Sequence, residues 1–179
     1  MKLHLGCGKR NFGDGWYHVD SERFDHVSDH DIFNLSISDE SADLIYSSHV
    51  IEYLDREKVN LLLQSWAKKL KSGGTLRLAV PDFESMSKLY SSGEIKLRDI
   101  LGPLYGKMTS DGKLIYHQTV YDLESLREVL EQNGFKNVRR YDWKVTEHAN
   151  FDDHSQAYLP KMDKENGTLI SLNVECEKI

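Results

Sequence analysis

The feature that most restricts this chain is a short apolar run that stops abruptly on glycine: Leu3-His4-Leu5 passes at once into Gly6-Cys7-Gly8. A strand-like run broken by Gly-x-Gly predicts a buried strand whose exit needs backbone conformations that side chains disfavour. A second such unit, Trp16-Tyr17-His18-Val19, ends at Asp20-Ser21, and a weaker third is signalled around His26-Val27. Asp43 to Tyr46 reads as a better buried strand. It is followed by Ser47-Ser48-His49 and then by Val59, Leu62, Leu63, Trp66 and Leu70 at helical spacing. Ser72-Gly73-Gly74 is expected to stop that helix and turn the chain into a central strand, Thr75 to Val80, which Pro81 ends.

Residues 91–118 mix glycines, a proline and scattered apolar residues, which predicts short helices and loops, a lid or cap. Leu123, Leu126, Val129 and Leu130 then mark one face of a helix stopped at Gly134. Lys136 to Trp143 and Thr168 to Cys176 read as two strands, antiparallel if they pair across the excursion between them. Strands alternating with helices, closed by such a pair, predict a single α/β domain over residues 1–179. Its architecture is a Rossmann-like, mostly parallel sheet with helices on both faces and a C-terminal antiparallel strand pair. Ligands of such sheets bind outside the carboxyl ends of the strands, here the loops after Leu5, Val19, Tyr46 and Val80.

Composition excludes several classes. At 179 residues the chain fits one core, and no window is apolar enough to span a membrane. Met1 to Leu5 enters strand pattern immediately, leaving no room for a secretory signal, so a cytoplasmic location is the expectation. Cys7 and Cys176 stand alone, without metal-ligand spacing, and read as reduced thiols. A net charge of −6 disfavours a groove that tracks nucleic-acid phosphates. The oligomeric state is not legible.

Within the first loop the residues favour some ligands over others. A dinucleotide fingerprint wants a third small residue and a helix after Gly8, but Lys9, Arg10 and Asn11 follow and Trp16 comes too soon for a long helix. Asp20, closing the second strand, can accept hydrogen bonds from both hydroxyls of a ribose. Asp31 can accept from an adenine amino group while Ile32 covers the ring. Both acids read equally as ordinary loop acids.

Taken in order, Leu3-His4-Leu5-Gly6-Cys7-Gly8, Tyr17-His18-Val19-Asp20, Ser41 to Glu52 and Leu70 to Asp82 resemble the class I S-adenosylmethionine-dependent methyltransferases over nearly the whole chain. The likeness is to the bacterial group similar to methyltransferase type 11, which is associated with surface-polysaccharide biosynthesis. The resemblance implies that S-adenosylmethionine is the cofactor. Gly6, Cys7 and Gly8 would flank its amino-acid part, Asp20 with Ser21 would meet its ribose, Asp31 and Ile32 its adenine, and Ser48 and His49 its methionine end. The sequence departs from the family pattern at His4, where an acid is usual, and at Arg10, where a third glycine is usual. Lys9 or Arg10 would then be placed to pair with the donor carboxylate, or would form a solvated basic rim.

Methyl transfer depends on positioning, and a hydroxyl acceptor also needs a group to take its proton. His117, at the end of the lid, is the first candidate. Asp82 is the second, with helix capping as its competing role, and His154 the third. His148, Asp152, Asp153 and His154 form a polar cluster without a repeated metal-ligand pattern, so no metal is expected. Tyr116 and Tyr158 are candidate acceptor contacts. The acceptor expected is a small polar or saccharide-like molecule. Two other readings compete: a non-catalytic module that binds the donor or a partner, and a dinucleotide-dependent oxidoreductase.

Overall fold

The computed structural model describes residues 1–110, 112–160 and 162–179. In chain order the strands of its main sheet are β1 (Lys2–Leu5), β2 (Trp16–Val19), β3 (Val27–Asp29), β4 (Ala42–Ser48) and β5 (Leu70–Pro81), with α1 (Arg56–Lys69) joining the last two. Next come α2 (Phe83–Ser92), α3 (Leu97–Tyr105), a hairpin of β6 (Met108–Ser110) and β7 (Lys113–Ile115), α4 (Leu123–Gln132) and β8 (Phe135–Arg140). A small pair, β9 (Tyr158–Leu159) and β10 (Thr168–Leu169), precedes β11 (Ser171–Lys178). The seven-stranded sheet runs β3-β2-β1-β4-β5-β11-β8, parallel except at β11, which is antiparallel to both its neighbours. This is the mostly parallel sheet with a closing antiparallel pair that the sequence predicts.

Residues in register on parallel neighbours share a face, and the two faces of this sheet differ in chemistry. Leu3, Tyr17, Ile45 and Leu76 are aligned across four strands. They join one apolar cluster with Val59, Leu62, Leu63 and Trp66 of α1 and Leu126 and Leu130 of α4. Trp66 is fully buried, and its indole N–H donates to the Ile32 carbonyl at 2.8 Å, so the packing leaves no polar atom stranded there. On the other face stand His4, His18, Tyr46, Arg77 and Glu175. Over β1, β2 and β4 that face is covered by loops: Phe12 from residues 6–15 packs on His4 and Tyr46, and from the excursion after β8 His148 packs on Tyr46 and Phe12, and Phe151 on Phe12.

Two local expectations are corrected. Gly73 and Gly74 do not turn the chain ahead of the central strand, because β5 already starts at Leu70 as α1 ends. They form an irregularity inside the strand, where the register with β4 slips between Ala42 and Leu44. Gly73 has φ +73°, and a Cβ on Gly74 would lie 2.9 Å from the Lys71 carbonyl oxygen. The last strand also begins later than expected, at Ser171. Ile170 is drawn aside by its N–H, which donates to the Ala157 carbonyl at 2.9 Å.

Candidate active site

The carboxyl ends of β1, β2, β4 and β5 open on one cleft of about 710 Å³. Gly6 and Gly8, Asp20, Ser48 with His49, and Pro81 line it from the sheet. The segment predicted as a lid, residues 91–118, contributes α3 and the chain around Gly106, with His117 at its end. His154, Tyr158 and Leu159 close it from the excursion that precedes β11.

The two glycines of the first loop serve different ends. Both have left-handed backbones, with φ of +69° at Gly6 and +55° at Gly8. A Cβ on Gly6 would fall 2.3 Å from Val50 Cγ2, so that glycine makes room for the chain's own side chain. A Cβ on Gly8 would meet nothing within 4 Å. Only at Gly8 does the missing side chain leave open space toward the cleft. The amide of Gly8 donates to Asp20 Oδ2 at 2.7 Å and that of Glu22 to Asp20 Oδ1 at 2.9 Å. Asp20 thereby ties the ends of β1 and β2 together while each carboxylate oxygen keeps a free lone pair.

Lys9 and Arg10 also line the cleft, and the Arg10 Nε–H donates to the Asp152 carbonyl at 2.8 Å, tying the first loop to the excursion. Cys7 does not line it. Its thiol is fully buried, 3.8 Å from His26 Nε2, and burial pushes its pKa up to about 12. Ser21 is exposed outside the lining, its hydroxyl 3.2 Å from that of Ser110 on the β6–β7 hairpin.

The structure does not bring Asp31 and Ile32 to the cleft. Asp31 caps its own turn, accepting from the amides of Phe33 and Asn34 and from the Asn34 side chain. That side chain is the leading cause of a lowered Asp31 pKa. Ile32 packs partly buried against the main core. Asp82, expected as an acid–base candidate facing the cleft, is corrected as well. It is 1% exposed, accepts from the Ser85 amide at 3.2 Å as the N-cap of α2, and pairs with Arg140 at 3.0 Å. Both oxygens are committed to structure, the competing role that its place after Pro81 suggested.

The polar cluster of the excursion diverges. His148 is buried against Tyr46 and Phe12, Asp152 is exposed and pairs with Lys164, and Asp153 accepts from the Tyr46 hydroxyl at 2.6 Å. His154 alone faces the cleft. It is accessible to solvent, yet its charged form is disfavoured first by desolvation among the cleft walls and then by His49 and Arg10. Tyr158 lines the cleft with its hydroxyl 3.3 Å from Trp143 Nε1, whereas Tyr116 is exposed and lies outside the lining.

His117 and His49 meet at a residue that sequence reasoning missed. His117 is held by its amide, which donates to the Tyr105 carbonyl at 2.7 Å, and by Nδ1, 3.1 Å from the Pro103 carbonyl. Its Nε2 lies 3.9 Å from Glu52 Oε1, and His49 Nδ1 lies 3.2 Å from the same oxygen. Burial lowers the His117 pKa, with Glu52 pulling the other way. His49 itself adopts φ +55°, an uncommon left-handed conformation for a residue with a side chain, directly after β4. Glu52 sits on a single 3-10 turn, Ile51–Tyr53, three residues after His49. A His-x-x-Glu spacing beside a strand end is the signal that would have singled it out.

A profile described as a methyltransferase domain matches residues 5–140, from the end of β1 to the end of β8. The chain belongs to the methyltransferase domain family. It is a class I S-adenosylmethionine-dependent methyltransferase, with S-adenosylmethionine as its methyl donor. The dinucleotide reading falls away, and the first loop agrees: no helix lies between Gly8 and Trp16 to receive a pyrophosphate.

Solved structures share the fold. A SAM-dependent methyltransferase from Methanosarcina mazei superposes with a TM-score of 0.61 at 15% identity, covering 99% of this chain and 92% of that one. One from Archaeoglobus fulgidus gives 0.59 at 19% identity, covering 99% and 85%. The 1,6-didemethyltoxoflavin-N1-methyltransferase of Burkholderia thailandensis, solved with 1,6-didemethyltoxoflavin and S-adenosylhomocysteine bound, gives 0.57 at 11% identity, covering 99% and 70%. No curated protein sequence matches the chain. Among the described residues, no helix is long and apolar enough to cross a membrane.

Proposed function

We propose that the chain transfers a methyl group to a small polar or saccharide-like acceptor bound beneath residues 91–118, which act as a lid on a single methyltransferase domain. The observation that carries this reading is the convergence of Gly8, Asp20, Ser48 and His49 from three strand ends on one cleft whose opposite wall sets His117, His154 and Tyr158 among apolar residues. Gly8 gives the donor an approach that a side chain would close, and Asp20 has lone pairs to offer the ribose hydroxyls. Ser48 and His49 border the methionine end, and Lys9 and Arg10 supply positive charge for its carboxylate. Bound there, S-adenosylmethionine supplies an electrophilic methyl on a sulfonium. The protein's share is to hold the acceptor in line and exclude water. On the acceptor side, His117, His154 and Tyr158 give hydrogen-bonding partners suited to a polyhydroxylated molecule, and surface-polysaccharide chemistry is one setting for such an acceptor.

Calorimetry with S-adenosylmethionine and S-adenosylhomocysteine tests the donor site. Both are expected to bind, and the absence of both heat and thermal shift would refute the assignment. Asp20→Asn keeps the shape and removes the charge, so S-adenosylhomocysteine should bind about 10- to 100-fold more weakly, the worth of charge-assisted hydrogen bonds. Unchanged affinity would remove Asp20 from the ribose.

A further inference from the structure

Glu52 is fully buried, and neither of its carboxylate oxygens has an aligned hydrogen-bond donor. A carboxylate left this way is costly unless a positive charge comes close to it. Two histidines of the cleft wall stand ready: His49 Nδ1 at 3.2 Å and His117 Nε2 at 3.9 Å, both from Oε1. The main chain secures the arrangement, because the Glu52 carbonyl accepts from the amides of Gln118 and Thr119, at 2.8 and 3.3 Å, immediately after His117. The end of the lid is thus fastened to the residue whose side chain faces the lid's histidine.

The tautomer of His117 follows from its partners. The Pro103 carbonyl can only accept, so Nδ1 carries the proton and Nε2, on the Glu52 side, carries the lone pair. The groups around this centre come from four elements. Tyr53, on the same turn as Glu52, sets its ring edge-on to His117 at 4.4 Å, and His154 lies 5.2 Å from His49 across the cleft, ring to ring. Tyr121, just ahead of the Asp122 cap of α4, also feels the Glu52 charge.

Resting on the methyltransferase reading above, we propose that Glu52 is a positioning residue which readies His117 Nε2 to take the proton of a hydroxyl acceptor, so that the enzyme is an O-methyltransferase. In the transfer the acceptor oxygen forms the new O–CH3 bond while the CH3–S bond breaks with its electron pair going to sulfur. The hydroxyl proton passes to His117 Nε2 and afterwards to solvent. Positive charge lost at the sulfonium reappears on the imidazolium, 3.9 Å from Glu52 Oε1, where a buried anion is already in place. A neutral amine attacks through its own lone pair and gives up its proton only afterwards, so it depends on this device less than a hydroxyl does.

The test compares wild type, Glu52→Gln and Glu52→Asp with nitrogen-15-labelled histidine, titrated by NMR from pH 8 down to the onset of acid unfolding. In Glu52→Gln the His117 protonation constant should fall at least tenfold, about one pH unit, and Glu52→Asp should recover much of it. S-adenosylhomocysteine affinity, measured on the same samples, should change little. An identical His117 titration in wild type and Glu52→Gln would overturn the proposal. It would also be overturned by a panel of methyl glycosides, phenols and amines in which only amines release S-adenosylhomocysteine. Failure of the wild type to bind S-adenosylhomocysteine would instead strike the methyltransferase reading, with the Glu52 coupling still decided by the titration.

Discussion

Phe12 carries more of this fold than a loop residue usually does, and its removal gives a sharp test. It sits in the helix-free connection between β1 and β2, 7% exposed. Its ring stacks on His4 at 3.9 Å and parallel to His148 at 5.4 Å, with Phe151 at 4.7 Å and Trp16 edge-on at 5.1 Å. Its amide donates to His18 Nε2 at 2.9 Å. Phe12→Ala removes the side chain on which the loop, the first two strands and the excursion all converge. Core Phe→Ala changes cost about 3–5 kcal/mol. Here the low end, about 3 kcal/mol, is appropriate because a loop can partly close the gap. In a chain of this length that corresponds to a fall in Tm of about 6–12 °C by calorimetry or circular dichroism. Phe12→Leu, which keeps most of the volume, should lose about 1 kcal/mol. A fall of less than about 2 °C for the alanine variant would refute the view that Phe12 anchors this face of the sheet.

The same cluster predicts acid lability. The His148 pKa is pushed down to about 4, by burial first and Arg77 second, and that of buried His4 moves the same way. Because these folded-state values lie below the unfolded value of about 6.5, the folded protein binds fewer protons in between. Its stability is therefore full above that value and declines as pH falls toward 4. Denaturant titration at pH 5 should show about 2 kcal/mol less stability from His148 alone than at pH 7, and a flat profile would contradict the buried neutral histidine. Beside the cleft, Gly106 has φ +53° and its Cβ would lie 2.3 Å from His117 Nε2. Gly106→Ala should therefore displace the imidazole, seen as a changed His117 signal by NMR together with a loss of at least about 1 kcal/mol, and an unshifted signal would contradict the packing.

The sheet was legible because its strands announce themselves locally. Leu3-His4-Leu5, Trp16 to Val19 and Thr75 to Val80 are short apolar runs closed by glycine, acid or proline, and each stands as a strand in the fold. The absence of a helix after Gly8 was legible for a similar reason, since the distance to Trp16 is a count along the chain. Asp31 and Asp82 defied reading because an acid in a turn can face a ligand or its own backbone, and the choice is made by neighbours. Asn34 claims the first, and Ser85 with Arg140 the second. Glu52 was passed over since its meaning depends on His117, which lies far along the chain and reaches it only in the folded structure. Gly6 shows the opposite limit: its need for glycine was correct, but the object in the way is Val50.

His49 shows what such a site asks of the chain as a whole. Its left-handed backbone, costing on the order of 1–3 kcal/mol, points the imidazole toward Glu52 and the cleft. Glycine or asparagine would sit there with less strain. A search for hardier variants, scored on heat resistance alone, would favour those replacements at position 49 and yield a sturdier protein with a poorer cleft. Stabilising this enzyme without loss therefore means leaving that turn as it is and working on the distant surface.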